Sequence, residues 1–192
     1  SRMFTHEDLG SDDWLGRLGR LVRAVGHKFF EQELVELLNL VLPVDHCVVF
    51  TYSADGVGHL FTHGKMPVKT AQRLADDYVR KFHARDPLFS RLRDAGLPGL
   101  DRPMPLDLKR TYDPAYLNHF FDRNDLVDKT STIGRIEHGA VLCNFYRMRD
   151  SGRYSSDDRR RLERVLPLAT ALVSAHYQIV GTQRTRSLVH TI

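Results

Sequence analysis

Two periods of apolar and polar positions run along this chain, and the switches between them mark its elements. Trp14, Leu15, Leu18, Leu21, Val22 and Val25 recur at helical spacing behind the acidic start Ser11-Asp12-Asp13, and Gly26 offers a stop. A second helix is predicted from His27 to Leu42, with Phe29, Phe30, Leu34, Leu37, Leu38 and Val41 on one side and Pro43 at its end. The pattern then changes. Asp45 to Tyr52 is dense in β-branched and aromatic residues, Ser53-Ala54-Asp55-Gly56 is turn chemistry, and Val57 to His63 returns as a strand, which together predict a hairpin. Helical spacing resumes from Lys69 to about His83, through Ala71, Leu74, Ala75, Tyr78, Val79 and Phe82.

After Pro87 the segment 87–110 carries Pro98, Pro103 and Pro105 and reads as loop with a short helix over 88–95. Asp113-Pro114 opens a further helix reaching Phe121. Leu126 to Glu137 and Ala140 to Met148 form a second strand pair about His138-Gly139. Ser155-Ser156-Asp157-Asp158 caps the last helix, which holds Pro167 inside it and is expected to end at Gly181.

Helices, hairpin, helices, hairpin, helix predict an α+β fold: an antiparallel β-sheet of four to five strands sandwiched by helices. Residues 1–10 are aperiodic and are expected to be a loosely held N-terminus, 11–181 one domain, and 182–192 a basic linker. At 192 residues one domain with a sizeable core is expected. The 28 Lys and Arg against 24 Asp and Glu give a net charge of +4, too mild and too dispersed to imply a nucleic-acid surface. No stretch is long and apolar enough to imply a membrane span or a secretory leader, so the cytoplasm is the expected compartment. The two cysteines, Cys47 and Cys143, lie in apolar strands and read as core residues.

No catalytic signature stands out. There is no Gly-x-Ser-x-Gly elbow and no phosphate-binding glycine loop. His59 and His63 are four apart on a strand, about 13 Å, too far to share a metal. Cys143-Asn144 with a distant His is the one enzyme reading available, and its mid-strand position counts against it. The chain is therefore read as a non-enzyme without metal or cofactor. Its most informative stretch is Tyr78 to Asp86-Pro87. Tyr78 and Phe82 share a helical face, and Pro87 forces Asp86 out of helical geometry, which puts a carboxylate at the rim of an aromatic surface. Asp86 reads either as a helix cap or as a ligand-facing acid. Tyr112 and Tyr116 each need a partner for a hydroxyl if buried.

On Tyr78 to Asp86-Pro87, the segment Phe121 to Thr132 leading into a strand, and the strand and capped helix from Val141 to Ile179, the chain resembles the N-terminal sensory domains of LuxR-type bacterial transcription regulators. Their broader relatives are GAF- and PAS-like ligand-binding domains. The resemblance implies a small organic ligand between the sheet and the Lys69–His83 helix. Asp86 and one of Tyr78, Tyr112 or Tyr116 would hold its polar end, and Phe61, Phe82 and Phe145 its apolar body. It also implies a homodimer, and DNA contact only through a C-terminal domain beyond the linker. In lactone-binding members the Asp of Asp-Pro binds the ligand amide, a Trp stands thirteen residues before it and a Tyr nine before it. Here those two positions are Arg73 and Asp77, with Tyr78 one place off. The departures imply a sensor for another small molecule, or a ligand-free dimeric scaffold of the same fold.

Overall fold

The computed structural model describes residues 12–92, 100–104 and 106–189. Its centre is one antiparallel sheet of four strands in the order β2-β1-β4-β3. The strands are β1 His46–Ser53, β2 Gly56–Gly64, β3 Leu126–Ile136 and β4 Gly139–Met148. Each hairpin supplies an inner and an outer strand, and β1 and β4 join the pairs through a register running from His46–Tyr146 to Ser53–Gly139. Met104 adds a single antiparallel bridge to Ser131 on the outer edge of β3, the rudiment of a fifth strand. The α+β architecture expected from the sequence is the one observed.

Seven α-helices flank the sheet among the described residues. They are α1 Asp12–Ala24, α2 Phe30–Val41, α3 Val68–Arg80, α4 Pro87–Arg91, α5 Leu108–Thr111, α6 Pro114–Phe120 and α7 Ser156–Val189. Helices α1, α2 and α7 cover one face, where Leu21, Phe30, Leu34, Leu162, Leu166 and Val173 pack on Cys47, Val49, Val141, Cys143 and Phe145. Period-2 alternation sends the neighbouring residues Val48, Phe50, Leu142 and Tyr146 to the other face, under α3 to α6.

The local chemistry explains the boundaries. Gly26 takes φ +84° after α1, a left-handed turn natural to glycine, and its N–H donates to His176 Nδ1 of α7 at 2.9 Å. Asp107 and Asp113 cap α5 and α6 by accepting from Arg110 N and Tyr116 N. Helix α5 is an element the pattern does not reveal, being a single turn. Helix α7 does not stop at Gly181 but continues to Val189. A glycine costs a helix interior only about 1 kcal/mol against Ala, too little to terminate a helix of this length. The N-terminal residues expected to be loose, 1–10, lie outside the described residues. Among those described, no helix is long and apolar enough to cross a membrane.

Candidate functional site

The second face of the sheet carries a cluster of phenols around one acid and one amine. Asp86 follows the 3-10 turn Phe82–Arg85 and precedes Pro87. The proline holds it extended, at φ −89° and ψ 114°, and makes it the N-cap of α4. Its Oδ1 accepts from Leu88 N at 2.9 Å, and its Oδ2 accepts from Tyr78 Oη of α3 at 2.8 Å. The cap reading of this acid is realised, and its second oxygen is turned to the tyrosine cluster. It is not at a solvent-exposed rim, because only 4% of its surface is exposed.

Tyr112 and Tyr116 stack at 4.5 Å between centroids, and Tyr116 packs in turn on Phe120 at 4.7 Å. Tyr78 stacks on Phe50 of β1 at 4.1 Å. From β3 comes Lys129, 1% exposed, whose Nζ donates to Tyr112 Oη and lies 4.6 Å from the centre of that ring. Burial, and after it the charge of Asp86, pushes the phenols of Tyr78, Tyr112 and Tyr116 well above their ordinary range. They stay protonated, with Tyr78 donating to Asp86 and Tyr112 accepting from Lys129. Burial pulls the Lys129 ammonium down, and Asp86 opposes that pull.

Beside this cluster lies a cavity of about 30 Å³, room for about one water. His46, Val48 and Phe50 of β1, Leu74 and Tyr78 of α3, and Tyr116 and Phe120 of α6 are among its walls. Asp86, Tyr112 and Phe82 are not in those walls; Asp86 reaches the cavity through Tyr78. Phe82 is half-buried at the edge, stacked on His119 at 4.6 Å. Phe61 and Phe145 lie on the wrong side of the sheet for this site. Both are in the core beneath α1, α2 and α7, with Phe61 edge-on to Phe30 at 6.0 Å. A bulge between Val49 and Phe50 shifts the pairing from Phe61 to His59 and fixes which face Phe61 takes.

Pattern reading missed Lys129, Phe50, Tyr146 and His46. Lys129 sits inside the strand Leu126–Ile136, whose residues are nearly all buried, a fact the sequence pattern does not carry. His46 is 2% exposed, bonded through Nε2 to Thr62 Oγ1 at 2.9 Å, and burial pulls its pKa from 6.5 to about 4. The positions where lactone-binding domains carry Trp and Tyr point elsewhere. Arg73 is exposed, and Asp77 is engaged by Arg80 at 2.9 Å and His119 at 3.0 Å.

The architecture is a GAF-like α+β fold that several solved structures share. The ligand-binding domain of VqsR from Pseudomonas aeruginosa superimposes with a TM-score of 0.65 at 18% identity, covering 88% of this chain and 99% of that one. CepR2 from Burkholderia cenocepacia, an N-acylhomoserine lactone dependent LuxR family transcription factor, gives 0.60 at 18% identity over 87% and 93%. A GAF domain/HD domain protein from Geobacter sulfurreducens gives 0.52 at 13% over 86% and 98%. The fold resemblance read from the sequence is thus borne out. The sequence itself matches no protein-family model and no curated protein.

Proposed function

We propose that this chain is the small-molecule-sensing and dimerisation domain of a LuxR-type transcription regulator, working in the cytoplasm. The effector is an organic molecule held between the sheet and helices α3 and α6, with Asp86 and Tyr78 at its polar end. The observation that carries this reading is the buried Asp86–Tyr78 pair beside an aromatic cavity, in a fold shared with LuxR-family ligand-binding domains. A cavity of about 30 Å³ is far below the ~300–1,000 Å³ typical of ligand pockets, so the effector enters by displacing Tyr116, Phe120 or α3 outward. That repacking is the signal: the ligand stabilises one arrangement of sheet and helices. DNA is contacted through a separate C-terminal domain, and two copies associate through α1 and α7, where Leu15, Val22, Leu168 and Ile179 are exposed.

The role is binding rather than catalysis. Cys143, the one nucleophile a catalytic reading could use, is fully buried in the sheet and its thiol is pushed up to about 12. Thermal melting across a metabolite panel tests the proposal. One compound should raise the midpoint by several degrees, and Asp86→Ala should abolish that shift. A shift that survives Asp86→Ala removes Asp86 from the site. The same small cavity favours a second reading, a ligand-free dimeric scaffold, which predicts silence across the panel from a protein that is nonetheless a dimer.

A further inference from the structure

Lys129 is the least expected feature of this face. A lysine is almost never fully buried unless paired, yet among the described residues no carboxylate makes an ion pair with its ammonium. What surrounds the nitrogen instead is Tyr112 Oη as acceptor, the Tyr112 ring at 4.6 Å and the Tyr146 ring at 5.9 Å. The charge of Asp86 favours the ammonium against the pull of burial. Tyr146 stands directly across from Lys129 in the β3–β4 register, and Tyr112 is held against it by stacking on Tyr116. Electron-rich aromatic rings and a phenol oxygen are the chemistry of ammonium recognition.

We infer that Tyr112 and Tyr146 form an ammonium cage which the chain fills with its own Lys129, and that the external ligand class this cage accepts is a small alkylammonium. The inference deepens the proposed effector site and rests on it. The tethered lysine acts as a resident occupant, four methylenes long, reaching the cage from the β3 backbone. An amine-bearing effector competes with it for the same rings and the same phenol oxygen.

The test is chemical rescue. Lys129→Ala removes the side chain beyond Cβ, and propylammonium restores those atoms as a free ligand. The cage predicts that Lys129→Ala melts several degrees below wild type and that propylammonium raises its midpoint saturably. 1-Propanol and propionate should not, and Lys129→Met, which refills the space with apolar atoms, should respond to none of the three. Equal rescue by 1-propanol, or no rescue by propylammonium, overturns the cage. Should Lys129→Ala not fold alone, its refolding yield in propylammonium against 1-propanol makes the same comparison: a higher yield in propylammonium supports the cage, and equal yields overturn it. The inference and the proposed function fail separately. If a panel compound stabilises wild type through Asp86 while Lys129→Ala ignores propylammonium, the cage is wrong and the effector site stands. If propylammonium rescues Lys129→Ala while wild type ignores the whole panel, the cage stands without an external effector.

Discussion

Asp86 and Lys129 are the residues on which the second face of the sheet turns. Each is buried, each satisfies part of its bonding through a tyrosine, and the charge of Asp86 offsets part of the burial cost of the Lys129 ammonium. Breaking a buried pair by removing one partner leaves the other uncompensated, at a cost of ~3–5 kcal/mol where the two are in contact. Because these two act at one remove, Asp86→Asn should cost less, about 2 kcal/mol, measured by urea unfolding. The double variant Asp86→Asn/Lys129→Met should be more stable than Asp86→Asn alone, since it also removes the stranded ammonium. Asp86 was legible in the sequence because proline dictates the backbone before it. Lys129 was not, because the ordinary expectation for a lysine is a solvated head group, and only the tertiary neighbours overturn that.

At the scale of elements, strands and caps were readable and faces were not. Both hairpins follow from the alternation and the turn residues, and Asp113-Pro114 marks the start of α6, whereas the Asp107 cap of α5 was not read from the pattern. A period of two says that Phe61 and Phe145 have a common alternation, but not which layer of helices lies over them. In β2 the bulge near Phe61 breaks even that count. Helix α7 depends on a close approach to β3 at Gly134, where an added Cβ would lie 2.5 Å from Ser174 Oγ and 2.9 Å from Thr170 Cγ2. Gly134→Val should therefore destabilise the domain by ~1–3 kcal/mol, read as an earlier denaturant midpoint with an unchanged slope.

The edge between β1 and β2 is also titratable. His46 has its folded pKa pulled from 6.5 to about 4 by burial, with His63 adding to the effect. The unfolded chain then binds the proton more readily than the folded one. Stability is full above about 6.5, declines as the pH falls below that value, and has lost the whole contribution below about 4. His176, pulled down by burial and then by His27, contributes with the same sign. Its Nδ1 accepts from Gly26 N and cannot do so once protonated. Melting curves between pH 7 and pH 4 should show a falling midpoint, and His46→Gln should flatten that dependence.

For the whole molecule, the two faces of the sheet divide the work. One is closed by α1, α2 and α7 into a continuous apolar core. The other holds polar groups in an aromatic shell with little free volume. On the proposed function, a ligand would act by repacking α3 and α6 against a sheet whose far side is fixed. Association through α1 and α7 would place the partner against that fixed side. Leu168→Glu with Ile179→Glu should convert a dimer to a monomer in light scattering while leaving the circular dichroism of the fold intact.

The most direct measurement is a crystal structure of the domain grown with the strongest stabilising compound of the metabolite panel. The account predicts that molecule between β1 and α3, a polar atom of it within hydrogen-bonding distance of Asp86 or Tyr78, and Tyr116 or Phe120 displaced to enlarge the cavity beyond its present ~30 Å³. The contradicting result is the same compound seated elsewhere, for example in the open groove of Arg20, Arg23, His27 and Lys28, with the tyrosine cluster unmoved.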